Sequence, residues 1–181
     1  MNLEYTLTEQ DFLDYQMYSA TKSDRINKKR QRSRMGMSLL YLAFGVFFLA
    51  TQSYAFGAVF MGLAIIWFFA RPMLDKKRYE KHFLGFINEH YKDSFGRKVI
   101  LELTDDYIFA KEAGMESKVS TEELVEVNEL KNLILIKLKK GQAVLLPKHS
   151  MEGSELLIAK LKELAQHLNI PYTEELDWKW R

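Results

Sequence analysis

A run of 36 residues, Met35 to Ala70, contains no Asp, Glu, Lys, Arg or His. It reads MGMSLLYLAFGVFFLATQSYAFGAVFMGLAIIWFFA, and no other feature limits the fold as strongly. An uncharged stretch of this length is a membrane signal rather than a globular core helix. As one helix it would extend roughly 54 Å at about 1.5 Å per residue, nearly twice the bilayer hydrocarbon. Divided at its middle it gives two helices of about 17 residues, each just long enough to span. Thr51-Gln52-Ser53-Tyr54 supplies a polar turn at the midpoint. The reading is a transmembrane helical hairpin with spans at about 35–52 and 54–71. The competing reading, a buried hairpin of a soluble protein, is disfavoured because lipid accepts helices apolar on every side and water does not.

Charge is arranged around this stretch. Residues 1–34 carry seven Lys/Arg and five Asp/Glu, while residues 71–181 carry 19 of each. The net charge of +2 is therefore all N-terminal, packed into Lys22–Arg34. A balanced C-terminal segment argues against nucleic acid, which selects a strongly basic face. The chain has no cysteine, which excludes disulfides, thiol catalysis and Cys-ligated zinc. Basic residues hold the adjoining end of a span in the cytoplasm. Arg71, Lys76, Lys77, Arg78 and Lys81 repeat that signal beyond the second span. The topology expected is a multi-pass cell-membrane protein with both termini cytoplasmic. Within the basic tract, Lys28, Lys29, Arg30, Arg32 and Arg34 are also candidates for contact with anionic lipid headgroups, at about 1 kcal/mol each near the surface.

In chain order, four regions are expected: 1–34, 35–70, 72–96 and 97–181. Met1–Leu7 alternates weakly and fits a short strand or a disordered end. Thr8 reads as an N-cap with Glu9 and Asp11 in the first turn, opening one helix that runs into the membrane. Ala58 and Gly62 form a small-xxx-small pair suited to close helix approach. Pro72 marks the end of the second span or a kink, and a juxtamembrane amphipathic helix follows until Gly96. From Arg97 the apolar period changes from 3.6 to 2. Strands are expected at Val99–Leu103, Tyr107–Ala110, Glu116–Ser120, Leu124–Leu130, Leu133–Leu138 and Gln142–Leu146, with Lys139-Lys140-Gly141 as a hairpin turn. Ser150 or Ser154 then caps a helix through about Asn169. The fold expected for 97–181 is an α+β domain, a small antiparallel pleckstrin-homology-like barrel closed by the C-terminal helix.

Catalytic patterns are missing from the sequence. His82 and His90 are eight apart, not at the i, i+3 or i, i+4 spacing of a helical metal pair. Asp105-Asp106 reads as a turn. No serine sits in a nucleophile elbow, and no glycine loop could cradle phosphate. No enzyme, cofactor or metal is expected.

The chain resembles the bacterial YcxB-like membrane proteins. YTLTEQDFLDYQMYSATKSDRINKKRQRSR is similar to that family's extended segment, acidic helix start and basic stretch before a span. The two close spans match its hairpin, and VSTEELVEVNELKNLILIKLKKGQAVLLPKHSM resembles its C-terminal domain, where Pro147-Lys148 precedes the last helix. Thr121 stands where the pattern often has an aromatic, and Met151 where Phe is usual. The resemblance implies a membrane-anchored protein with a pleckstrin-homology-like cytosolic domain and supplies no activity or functional residues.

Three functions follow as expectations. The first is an anchored, non-enzymatic module for a protein partner or a second copy of the chain. The second is a sensor of membrane state that binds anionic lipid, through the basic tract or the hairpin tip Lys137-Lys139-Lys140. The third, an enzyme with an unrecognised site, is the weakest.

Overall fold

The computed structural model describes residues 1–151 and 153–180. The chain divides into two compact units. One comprises Met1–Tyr15 and Gly85–Lys179; the other comprises Gln16–Leu84 together with Trp180.

The first unit is built on two four-stranded sheets. Strands β1 (Asn2–Thr6), β2 (Lys98–Leu103), β3 (Tyr107–Glu112) and β4 (Met115–Ser120) form one sheet in that order, all antiparallel. Strands β5 (Leu124–Leu130), β6 (Leu133–Leu138) and β7 (Ala143–Pro147) form an antiparallel meander, and β8 (Tyr172–Glu175) pairs with β5 in parallel. Helix α4 (Ser154–His167) lies between β7 and β8 in the chain. The six expected strands are present within two residues at each end. The closed antiparallel barrel is not: the strands make two separate sheets, and β8 introduces a parallel pair. Tyr172–Glu175 escaped sequence reading because its four residues carry only one large apolar side chain. The N-terminal residues are an ordered strand, with Leu3 opposite Leu101 and Tyr5 opposite Val99.

Period-two alternation places the core. Leu3, Tyr5, Val99, Leu101, Leu103 and Ile108 from the first sheet meet Val127, Ile134, Ile136 and Leu146 from the second. Leu157, Leu161 and Leu164 of α4 complete the cluster, at the i, i+4, i+7 spacing that puts them on one helical face. In β6, Leu133 and Leu135 alternate with the core residues yet are buried as well. That strand is covered on both faces, which explains its unbroken apolar run. Neither expected serine caps α4. Gly153 occupies the N-cap position at a φ of +74°, and Ser150 instead ties β1 by accepting from Thr6 N and donating to Thr6 O.

Helix α1 (Glu9–Lys22) opens on a capping box, Asp11 Oδ2 accepting from Thr8 N at 2.8 Å and Thr8 Oγ1 accepting from Asp11 N at 3.3 Å. It does not continue into the apolar stretch. Ser23 leaves helical geometry (ψ 112°) and N-caps a second helix, α2 (Asp24–Ala50), accepting from Ile26 N. Asn27 Nδ2 donates to the freed Thr21 carbonyl at 2.6 Å. Serine competes well for the backbone in this way, so the break needs no Gly or Pro.

The second unit is a helical hairpin of α2 and α3 (Tyr54–His90), α3 crossing into the first unit at Gly85. The turn falls where the polar cluster predicts it, with Gln52 at a φ of +58°. Pro72 does not end the second helix, and no separate juxtamembrane helix forms: α3 runs through it for 37 residues. Both helices are long and apolar enough to cross a membrane, and only 6% and 11% of their apolar windows are buried. A soluble core helix would be mostly buried, so these two do not serve as one. The close approach lies elsewhere than at Ala58 and Gly62, since Ala58 is exposed and nothing meets Gly62. It lies at Gly45 and Gly57, where a Cβ on Gly57 would stand 2.7 Å from Leu49 Cγ and 3.2 Å from the Gly45 carbonyl.

Candidate functional site

In α2, residues Arg30, Arg34, Ser38, Tyr41, Gly45 and Phe48 recur every three or four positions and so share a face. Gly57, Phe60, Ala64, Phe68, Pro72 and Asp75 do the same in α3. The two stripes meet. Phe48 stacks on Phe60 with centroids 5.3 Å apart, Tyr41 reaches Phe60 and Trp67, and the Arg34 guanidinium lies 3.7 Å from the Phe68 ring centroid.

Near the start of α2 the helices leave an open cleft of about 460 Å³. Asn27, Arg30, Gln31 and Arg34 line it from α2, and Phe68 and Asp75 from α3. Asp75 is buried and engaged by Arg71 at 3.2 Å, so its charge is neutralised within α3. The Arg30 guanidinium packs over the Trp180 ring at 4.3 Å, and Trp180 in turn lies 5.3 Å from Tyr79. Toward the hairpin turn, an apolar groove of about 320 Å³ continues from the cleft, sharing Met35 and Phe68 with it. Leu39, Leu42, Ile65 and Phe69 line that groove, and Ser38 is its one hydroxyl.

The structure therefore sorts the five basic candidates. Arg30 and Arg34 are half-buried and line the cleft, whereas Lys28, Lys29 and Arg32 are exposed and do not. The tract alone concealed this division. The signal that carries it is the i, i+4 step from 30 to 34, continued by 38, 41 and 45 into the helix contact. Asn27, Gln31, Phe68 and Asp75 were missed, because they belong to the cleft only once the two helices are side by side.

The sheet unit holds its own polar groups. Glu129 is buried in β5, accepts from Lys148 Nζ at 2.6 Å, and accepts from the Tyr172 hydroxyl. Burial pushes its carboxyl up, but the bonds from Lys148 and Tyr172 outweigh that and hold it below the usual glutamate value. Burial and the same bond hold the Tyr172 phenol well above its ordinary value. The Pro147-Lys148 pair thus acts as a core tie, Lys148 neutralising a buried acid. His149 Nε2 lies 3.1 Å from both Asp11 carboxylate oxygens. Thr121 is buried, its hydroxyl donating to the Asp105 carbonyl at 2.7 Å, and Met151 is a core residue. At the hairpin tip, Lys137 pairs with Glu126 at 3.2 Å and Lys139 lies 3.8 Å from Glu123. Those acids offset the charge an anionic headgroup would need. Among the described residues no three His, Asp or Glu converge on a metal position. The outer edge of β4 is unpaired, since β4 is the last strand of its sheet and Met115–Lys118 are all exposed.

No curated protein and no solved structure matches the chain. Residues 103–165, from the last residue of β2 into the final turn of α4, match the model of the YcxB-like protein family.

Proposed function

We propose that the chain is a membrane-anchored, non-enzymatic protein whose hairpin α2–α3 crosses the bilayer and holds a pleckstrin-homology-like sheet unit in the cytoplasm for a protein partner. Strand pairing supports the topology. β1 precedes the hairpin, β2 follows it, and the two are hydrogen-bonded neighbours, so both must lie on the same side of any membrane between them. Two crossings satisfy that requirement, and the basic flanks favour the cytoplasmic side. The order of four strands, three strands and a helix supports the pleckstrin-homology likeness, with β8 as an addition and the hairpin inserted after β1.

The observation that carries the interaction reading is the free edge of β4. An unpaired edge offers a row of backbone donors and acceptors to an extended peptide, with alternate side chains giving specificity. Glu116 and Lys118, two residues apart, share one face there, Lys118 resting 3.8 Å over the Tyr107 ring and Glu116 paired with Lys111 at 2.7 Å. The test is a photocrosslinking residue at Ser117 in the full chain in its membrane, with the same residue at exposed Leu156 as control. A defined protein adduct from Ser117 and none from Leu156 is expected. Adducts to lipid alone from Ser117 would reject the edge as a peptide site and move the function to the membrane surface.

A further inference from the structure

The free edge of β4 is complementary to itself when reversed. It runs Met115, Glu116, Ser117, Lys118, Val119: apolar, acidic, small, basic, apolar. We propose that its partner is a second copy of this chain, the two β4 strands pairing antiparallel about a two-fold axis at Ser117. This rests on the reading of the β4 edge as a site for an added strand, and names the partner that adds it.

Three observations select that partner. The first is which backbone groups face outward. Thr121 N donates to the Asp106 carbonyl at 2.9 Å, so these two residues form a bonded pair where β3 meets β4. Bonded and non-bonded pairs alternate along an antiparallel ladder, so Val119, Ser117 and Met115 direct their backbone groups to Ile108, Ala110 and Glu112. Glu116 and Lys118 direct theirs outward, where no described strand pairs with them. The second is register. A two-fold pair sets each residue opposite its counterpart across the axis. With the axis at Ser117, Glu116 lies opposite Lys118 of the second copy, and both are residues whose backbone groups face outward. Moving the axis to Glu116 or to Lys118 sets like charges face to face. A lysine ordinarily protects an exposed edge from a second strand. Lys118 does so in those neighbouring registers, but at Ser117 it meets an acid. Neither charge gives up its contact within the chain, because Lys111 and Tyr107 approach from β3, away from the added strand. The third is apolar surface. Met115 is 67% exposed, and the same axis lays it opposite the half-buried Val119 of the second copy. An unrelated extended peptide would use the edge without requiring any of these reciprocal matches.

The chain has no cysteine of its own, so single introduced cysteines report the pairing directly. The full chain, in isolated membranes, is treated with a mild oxidant and the disulfide-linked dimer is measured. Opposed residues of a non-bonded antiparallel pair stand about 4.5 Å apart at Cα, within reach of a disulfide. Ser117→Cys should therefore give the dimer. Ser120→Cys should not, because the same register holds its two copies six residues, roughly 20 Å, apart. On the Ser117→Cys background, Glu116→Lys or Lys118→Glu alone should lower the dimer at least about four-fold, each replacing two attractive pairs with two repulsive ones. Co-expressing these two variants under different tags should restore a dimer between the tags, since one edge then carries two cations and the other two acids. Equal dimer from Ser117→Cys and Ser120→Cys would mean chance collision and overturn the proposal. So would the absence of dimer from Ser117→Cys, or a failure of co-expression to restore it. The photocrosslink at Ser117 keeps this result apart from the edge reading. An adduct with a different protein, and no disulfide dimer, rejects self-pairing alone and leaves the edge a peptide site. Adducts to lipid alone reject the edge, and self-pairing falls with it.

Discussion

The sheet unit and the hairpin spend the same kinds of residue in opposite ways. In the sheet unit Ile134, Ile136, Leu101, Leu157 and Leu161 are sealed from solvent, and the smallest residues occupy turns. In the hairpin Phe47, Phe56, Ile65, Ile66 and Phe69 are 59–71% exposed, while Gly45, Gly57 and Ala64 lie inside. Under the membrane-spanning reading proposed above, water and lipid account for the inversion. In water, association is driven by removing apolar surface from solvent, so large side chains go in. Among lipid tails that force is absent between helices, so small residues go in and close backbone packing holds the pair. Burial of large apolar side chains is thus a measure of stability in one unit and of almost nothing in the other.

That contrast breaks most severely at the buried charge pair of the sheet unit, Lys148 and Glu129. Lys148→Ala should cost about 3 kcal/mol or more, because Glu129 would remain buried without its cation. Chemical unfolding of the full chain in detergent, followed by tryptophan fluorescence, reads the loss. The pair also fixes a pH dependence. Glu129 is held below its ordinary value of 4.5, so its contribution is complete above that value and is lost as pH falls through the lower folded value. Glu129→Gln should therefore flatten the acid limb of the stability profile.

Next come matched truncations, one in each unit. Leu161→Ala, at a fully buried position of α4, should cost about 2–5 kcal/mol in the same assay. Phe47→Ala removes more atoms from a residue 59% exposed and should cost less than about 0.5 kcal/mol. Comparable losses at the two positions would mean that Phe47 packs against something in the detergent-solubilised protein, and the inside-out reading of the hairpin would go.

A matched pair within the hairpin sharpens the role of the glycines. Gly57→Val should destabilise the hairpin by about 1–3 kcal/mol, since its side chain would meet Leu49 and the Gly45 backbone. Gly62→Val, with open space around it, should be nearly silent. Thermal unfolding in detergent, monitored by helical circular dichroism, distinguishes them.

Much of this was legible in the chain. The uncharged stretch and its polar midpoint gave the hairpin and its turn, and period two gave all strands between residues 98 and 147. What failed has local physical causes. Pro72 reads in the sequence as the end of the second span or a kink, yet α3 continues through it, since a helix stabilised along a long contact can carry one missing donor. Ser23 was passed over because serine ends helices through its side chain rather than by sterics. The close approach was expected at Ala58 and Gly62 and lies at Gly45 and Gly57, because spacing within one helix says nothing of which face meets the neighbour. The barrel became two sheets because closure depends on pairing between distant edges, which alternation does not encode. Of the site, the composition of the basic tract was visible and its division was not. Which arginines turn inward is a property of two helices together.

The insertion of the hairpin between β1 and β2 also imposes an order in time. β1 leaves the ribosome first, but its partner lies about ninety residues later. At synthesis rates of about 5–20 residues per second, β1 waits roughly 5–18 s for it. Both helices of the hairpin are made within that interval, so under the membrane-spanning reading proposed above insertion can begin before the first sheet closes. A chain whose hairpin failed to insert with both flanks on one side would therefore strand Leu3 and Tyr5 away from their core. Under that same reading, sheet assembly is a checkpoint on membrane topology.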